Sequence, residues 1–279
     1  MIPCLNNATS GAASFEGFLQ AAYVAGFGAV EVGIGQMQEY ADAHGVGALR
    51  QAFDSRGLAL GSGGVPVNWQ GAEDQFRADL AALPARLDLC REVGLSRLCT
   101  WVPPRWNVPY AEAAAFCRER LGTIADTLGR WDVRFGLEFV GPQDGFIGRP
   151  YKFINSLPEM MHFIDQLGVD NVGMLVDAYH LYVGESTPAD LAAVPAKRIV
   201  QFHINDAYPG VPRPELKDLK RLLPGQGTIP LVPMLLALRS TGYDWTVSIE
   251  TFSDELKALG PAAAARKAKA ALDGLLNAL

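Results

Sequence analysis

A closed barrel of eight parallel strands, each followed by a helix, is the fold this sequence predicts, and three observations carry it. Short β-rich runs alternate with longer helical patterns along the whole chain, as repeated strand–helix units around a parallel sheet do. The units number close to eight. No linker, low-complexity tract or change of composition divides the 279 residues, so a single (β/α)8 domain over 1–279 is the economical reading. An open doubly wound sheet is the rival. Against it, no GxGxxG turn follows the first strand, and eight evenly spaced units suit closure better.

The strands fall at 2–6, 29–33, 59–62, 97–101, 134–139, 172–177, 199–204 and 246–251, where apolar and β-branched residues run together. Helical patterns follow at 15–25, 37–56, 72–92, 111–130, 157–167, 231–240 and 255–276. Gly26, Gly57, Gly94, Gly168 and Gly242 each stand between a helical pattern and the next strand, the place of a left-handed cap. Two connections, 141–156 and 205–228, are longer than a barrel needs. Both follow strands, so both belong to the face where barrels do chemistry and are candidate lids. The alanine-rich end, AAAARKAKAALDGLL, reads as an amphipathic outer helix.

Composition excludes several classes. With 49% hydrophobic and 19% charged residues the chain can build a sizeable core and is far from a disordered sequence. A net charge of −6 and a pI near 5.3 supply no global basic field, which disfavours nucleic acid as a partner. The first residues carry neither a basic region nor a continuous apolar stretch, and no segment approaches about 18 consecutive apolar residues. A cytoplasmic protein without a membrane partner is therefore expected. Cys4, Cys90, Cys99 and Cys117 are widely spaced with no CxxC, and read as reduced, packed thiols and not as a thiolate zinc site.

The chemistry concentrates at strand ends. GLEFVG, GMLVDAYH, IVQFHINDA and VSIETF place Glu138, Asp177, His203 and Glu250 at the ends of the fifth to eighth strands. Their separations of 39, 26 and 47 residues are each roughly one strand–helix unit. A carboxylate behind an apolar run such as Met174-Leu175-Val176 is half-buried at the barrel mouth, which is costly unless a cation or hydrogen bonds compensate. Three carboxylates and an imidazole together suit a hard or borderline divalent ion, Mn²⁺, Mg²⁺, Co²⁺ or Zn²⁺, with positions left open for substrate. The alternative for each residue singly is an ordinary strand-end polar group that caps a helix or pairs with an arginine.

The stretches GLEFVGP, VGMLVDAYHLYVG, IVQFHINDA, LLPGQGTIPL and GYDWTVSIETF, over roughly 136–252, resemble the sugar phosphate isomerase/epimerase superfamily of xylose-isomerase-like barrels. That group includes D-tagatose 3-epimerase, hydroxypyruvate isomerase, inosose isomerases and dehydratases and, more distantly, endonuclease IV. The first half of the chain matches it only in rhythm. The resemblance implies a TIM barrel in which Glu138, Asp177, His203 and Glu250 bind one divalent metal ion and the two glutamates flank the substrate. It implies a small polyhydroxy carbonyl substrate: a sugar, sugar phosphate, inosose or hydroxy-keto acid. Isomerisation or epimerisation then runs through an enediolate, with Glu138 and Glu250 taking and returning the proton. Homodimers or homotetramers are common among such relatives.

His180, three residues after Asp177, matches a histidine that touches substrate hydroxyls in this group; the other reading is an imidazole packed in an aromatic turn with Tyr179 and Tyr182. Asp144, six residues past Glu138, is a candidate for binding a sugar hydroxyl, and Arg213, in the long loop after His203, for a carboxylate or phosphate. The family's arginine lies nearer the metal histidine, at an offset filled here by Pro209, so the substrate end departs from the family pattern. Asn6, Glu31 and Trp101, at earlier strand ends, line the pocket or serve structural roles.

Rival activities separate on residue content. An endonuclease of this barrel type needs a three-metal cluster with more histidines and basic loops, whereas only four histidines exist and His44 and His162 fall in helical patterns. A Schiff-base aldolase needs a lysine at a strand end, and none of the seven lysines stands at one. A dehydratase shares the four ligands, because the same enediolate can expel a β-hydroxyl, and is the second reading. A metal-dependent binding protein is the third. LLPGQG lacks the Lys-Ser/Thr of a phosphate loop and reads as a turn into the next helix.

Overall fold

The computed structural model describes residues 1–279, and its strands run parallel and pair in chain order. They are β1 (Ile2–Asn6), β2 (Ala29–Glu31), β3 in two pieces (Ala59–Leu60 and Gly63–Gly64), β4 (Arg97–Val102), β5 (Arg134–Phe139), β6 (Val172–Asp177), β7 (Ile199–Ile204) and β8 (Thr246–Ile249). β8 returns to β1, with Thr246 opposite Ile2 and Ile249 opposite Leu5. The ring closes within β3: Ala59 and Leu60 pair with Ala29 and Val30, while Gly63 and Gly64 pair with Leu98 and Cys99. The (β/α)8 expectation holds.

The break in β3 has a packing cause. A side chain at Gly61 would meet Cys4 Sγ at 2.9 Å, and one at Gly63 would meet the Val32 carbonyl oxygen at 2.9 Å. The backbone here passes too close to the lumen to carry a Cβ, so glycine interrupts the strand.

Helices Phe15–Ala25, Leu157–Leu167 and Leu231–Ser240 lie where the periodicity places them. The five expected cap glycines all take positive φ, from 61° to 87°. Two expected helices are broken. The 37–56 pattern becomes Ile34–His44 and Val46–Asp54, parted by Gly45 at φ 86°. The 255–276 pattern becomes Asp254–Lys257 and Pro261–Leu276, parted by Gly260 at φ 81°, with proline opening the second helix. Between β6 and β7 stand two helices the sequence reading lacks, Ala178–Val183 and Pro188–Ala192. Each is too short to show a helical period; the second is fixed by a capping box between Thr187 and Asp190.

The main apolar core lies between strands and helices, where Phe18, Phe135, Phe163 and Phe202 are buried. The lumen differs. Cys4, Gln201, Thr246 and Ser248 are small or polar, and only Cys99, Leu175 and Val200 form an apolar cluster apart from the main core. All four cysteines are free and buried. No helix is long and apolar enough to cross a membrane. Arg105–Trp106 pairs antiparallel with Tyr151–Lys152, which ties the loop after β4 to the loop after β5.

Candidate metal centre and substrate cleft

Strand register sets the height of the site. Trp101 pairs with Glu138, His203 with Asp177, and Asn6 with Glu31, so these side chains leave the sheet at its C-terminal rim. Glu250 follows β8, its N–H donating to the Ile204 carbonyl at 3.3 Å. Asp177, His203 and Glu250 bring one ligand atom each within 4.8 Å of one another, as do Glu138, Asp177 and His180. Asp177 belongs to both groups.

His203 is 4% exposed and is held by both ring nitrogens differently. Nε2 stands 3.0 Å from each oxygen of Glu31. Nδ1 faces Glu250 Oε2 at 3.5 Å and Asp177 Oδ2 at 3.8 Å. Like Glu138 Oε1 and Asn205 Oδ1, it is buried and has no hydrogen-bond partner. Partnerless buried polar atoms are costly, and these include an imidazole nitrogen and a carboxylate oxygen, the donor types of a divalent ion. The residues therefore fit a metal.

The electrostatics follow from burial and neighbours. Burial, then the adjacent Glu250, pushes the Glu138 carboxyl well above its ordinary range. Burial acts the same way on Asp177, but Arg221 and the imidazoles of His180 and His203 outweigh it and hold Asp177 low. For His203 burial is overcome by Glu31 and Glu250, which raise it well above an ordinary imidazole. Glu31 is held at about 2, its burial outweighed by His203 and by hydrogen bonds from Gln201 and Ser62. His180 is pushed down by burial and stays neutral.

Arg221, Asp206 and Asn205 stand at or beside the site and are not among the residues the sequence singles out. Arg221 is buried, with Nη1 2.9 Å from Asp177 Oδ2 and 3.1 Å from Glu250 Oε2, and Nη2 2.6 Å from Asp218 Oδ1. It arrives by a fold-back: Asp206 and Leu222 exchange backbone hydrogen bonds at 2.9 and 2.8 Å, returning the chain beside the end of β7. The LLPGQG segment completes this turn, as expected, and its amides cradle the chain's own carboxylate. Gly225, Gly227 and Ile229 N–H groups donate to Asp206 at 3.0, 2.8 and 2.9 Å. Asn205 is the third residue; its Nδ2 donates to Asp177 at 3.0 Å and to the Glu250 carbonyl at 3.2 Å. A strand-end asparagine next to the histidine was the available signal.

The other expected residues divide. His180 lies in the site, its Nε2 3.8 Å from Glu138 Oε1 and 3.8 Å from Asp218 Oδ1. Trp101, 42% exposed, lines both clefts that meet at Glu138 and Glu250. Asn6 donates to Glu31 at 2.7 Å and to Glu250 at 3.2 Å. Asp144 and Arg213 are not among the residues that line the two clefts at Glu138 and Glu250. Asp144 opens a short exposed turn, Asp144–Phe146, and it is Phe146 of that turn that faces Trp101, at 6.0 Å between ring centroids. Arg213 stacks on Tyr182 at 4.3 Å and lines a separate cleft with Lys152 and Glu185. The guanidinium at the centre belongs to Arg221.

Fold and site together define a barrel with an acid-rich, metal-competent mouth. Residues 19–276 match the xylose isomerase-like TIM barrel family, and the chain belongs to it. An inosose isomerase from Bacillus velezensis is 28% identical over 185 residues, which are 66% of this chain and 63% of that protein's length. This chain thus spans less than two-thirds of that relative. A xylose isomerase domain protein from Alicyclobacillus acidocaldarius superposes with a TM-score of 0.91 at 32% identity, covering 99% of this chain and 98% of the other. The IOLI protein with a bound zinc atom superposes at 0.85 with 22% identity, covering 100% and 99%, a likeness of fold.

Proposed function

We propose that this chain is a divalent-metal-dependent isomerase or epimerase of an uncharged polyhydroxy ketone, with Glu138, Asp177, His203 and Glu250 as the metal ligands. The observation that carries the reading is His203 Nδ1, buried without a partner and facing Asp177 and Glu250. The names of the relatives, an inosose isomerase and a zinc-binding barrel, support it. Glu138, Asp177, His203 and Glu250 would hold the ion, which would supply Lewis acidity toward the substrate's carbonyl and neighbouring hydroxyl.

Glu138 and Glu250 do the proton work. Both line the junction of the two clefts, so a substrate lying across it meets both carboxyls; one takes the proton and the other returns it. Glu250 is oriented for this by Asn6 on Oε1 and Arg221 on Oε2. The two clefts, about 270 and 230 Å³, meet at Glu138 and Glu250 and together leave room for a small polyhydroxy substrate across the junction. The larger is lined by Asn6, Asn7, Gln36, Ser62 and Thr100, with no lysine or arginine. The one arginine of the smaller, Arg221, already pairs with three carboxylates. Hydroxyls find partners here, and no unpaired cationic side chain lines either cleft to receive a phosphate or carboxylate. His180 and the face of Trp101 complete the substrate contacts.

Proton NMR in D₂O with ketoses and inososes, in the presence of Mn²⁺, Zn²⁺, Mg²⁺ or Co²⁺ in turn, tests this. Solvent deuterium should appear at the carbon beside the carbonyl with no loss of water. Net dehydration would identify a lyase. Preference for phosphorylated over neutral sugars would refute the substrate class, and no exchange with any of the ions would refute the activity.

A further inference from the structure

Glu31 stands outside both groups of converging ligand atoms, behind the imidazole of His203. It is 8% exposed, and its oxygens are fully engaged: Ser62 Oγ donates at 2.8 Å, Asn6 Nδ2 at 2.7 Å, and Gln201 Nε2 makes a further short contact. The orientations of both amides are fixed by their other ends. Gln201 Oε1 accepts from Thr246 Oγ1 at 2.6 Å and from Tyr243 at 3.3 Å, and Asn6 Oδ1 accepts from the Ala8 N–H at 2.8 Å. Glu31 is therefore a buried carboxylate in a shell of donors, and the histidine nitrogen that faces it must carry a hydrogen. The neutral ring then has its lone pair on Nδ1, the atom that faces Asp177 and Glu250.

We infer that Glu31 is a positioning residue: it fixes the tautomer and plane of His203 directly and the placement of Glu250 through Asn6. The inference rests on the ligand set proposed above. It goes beyond the pocket-lining role suggested by Glu31's place at a strand end: Glu31 does line the larger cleft, but its oxygens are engaged by the protein's own donors. A carboxylate buried in a barrel lumen costs stability that an apolar residue would not, and Gln201, Ser62 and Thr246 are the lumen polarity needed to hold it. A carboxylate behind a metal-bound imidazole orients the ring and raises its basicity, and losing such a partner typically costs roughly 10- to 100-fold in metal affinity.

Two measurements test it. The first is the ¹⁵N NMR tautomer of His203 in metal-free protein, at a pH where the ring is neutral. The second is Zn²⁺ or Mn²⁺ affinity by competition with a chromophoric chelator. Wild type should show a single tautomer protonated on Nε2. Glu31→Gln should lose that exclusivity and bind either ion roughly 10- to 100-fold more weakly, while Glu31→Asp keeps the tautomer and recovers part of the affinity. Ser62→Ala, which removes one donor and leaves the carboxylate, should bind nearly as wild type. Wild-type affinity in folded Glu31→Gln overturns the role of Glu31 alone, whereas a wild-type chain that binds neither ion overturns the ligand set itself. If Glu31→Gln does not fold, the wild-type tautomer decides: a proton on Nδ1 overturns the inference.

Discussion

Replacing Arg221 with methionine should destabilise the metal-free protein far more than the metal-loaded one. The guanidinium is buried against Asp177 at 2.9 Å, Glu250 at 3.1 Å and Asp218 at 2.6 Å. At about 3 Å and an effective dielectric near 20, each contact is worth roughly 5 kcal/mol of Coulomb attraction, much of it offset by desolvation of the charges. Methionine fills the volume but leaves the carboxylates unopposed, and breaking a buried pair in this way typically costs about 3–5 kcal/mol. A divalent ion returns positive charge to Asp177 and Glu250, and Asp218, 31% exposed in its side chain, is left to water.

The loss should therefore shrink when metal is present. An ion at 100 times its Kd adds about 2.7 kcal/mol to wild-type stability by linkage. It should add more to Arg221→Met, whose ligand carboxylates have lost a competing cation and bind the ion more tightly. Urea unfolding of both proteins, once with a chelator and once with saturating Mn²⁺, measures the difference. An equal loss in the two conditions would show that Arg221 acts through packing and not through charge, and would refute the reasoning.

Other outcomes follow from the same contacts. Glu250→Gln should retain metal, because the amide still offers an oxygen, and lose most turnover, because it cannot accept a proton; unchanged turnover would contradict the assigned role. Asp206→Ala strips acceptors from the N–H groups of Gly225, Gly227 and Ile229, of which only that of Ile229 lies in a fully buried pair, and should cost about 1–3 kcal/mol by denaturant unfolding. Metal affinity should fall with falling pH from above 6.5, because His203 holds its proton above that ordinary value and Glu138 above its ordinary 4.5, and the ion must displace both. Calorimetry in buffers of different ionisation enthalpy should show proton release on binding that vanishes at high pH; release independent of pH would refute it.

The four proposed ligands are legible in the sequence because each ends an apolar run in a repeating unit, and a barrel's period converts that spacing into convergence. Asp144 and Arg213 were expected from offsets counted along loops, where no period converts sequence distance into position. Arg221 illustrates the failure: it reaches the mouth only because Asp206 and Leu222 pin the two ends of the excursion together. The break in β3 escaped notice because its two-residue pieces are shorter than any alternation, and the crowding that demands Gly61 comes from Cys4 and Thr246 on other strands. Glu31 stands at the rim, as its place at a strand end predicts, but its partner lies on β7, across the ring, and no pattern along β2 announces that.

The mouth collects five carboxyl groups, Glu31, Glu138, Asp177, Asp218 and Glu250, against one guanidinium, Arg221, and two imidazoles, His180 and His203. Such an imbalance within a buried rim is tolerable only if positive charge is recruited, and the raised carboxyl of Glu138 and the raised imidazole of His203 show where protons can supply it. A divalent ion carries the same charge as those two protons. The neutral donors that set the geometry, Asn6, Ser62, Gln201 and Asn205, are held by the protein's own carboxylates. The last residue of β1, the break in β3, an interior position of β7 and the residue just past it provide those donors, so the strand ends set most of the ligand geometry and the long loop after β7 adds Arg221. A barrel built this way can vary its loops, and with them its substrate, while the centre stays fixed.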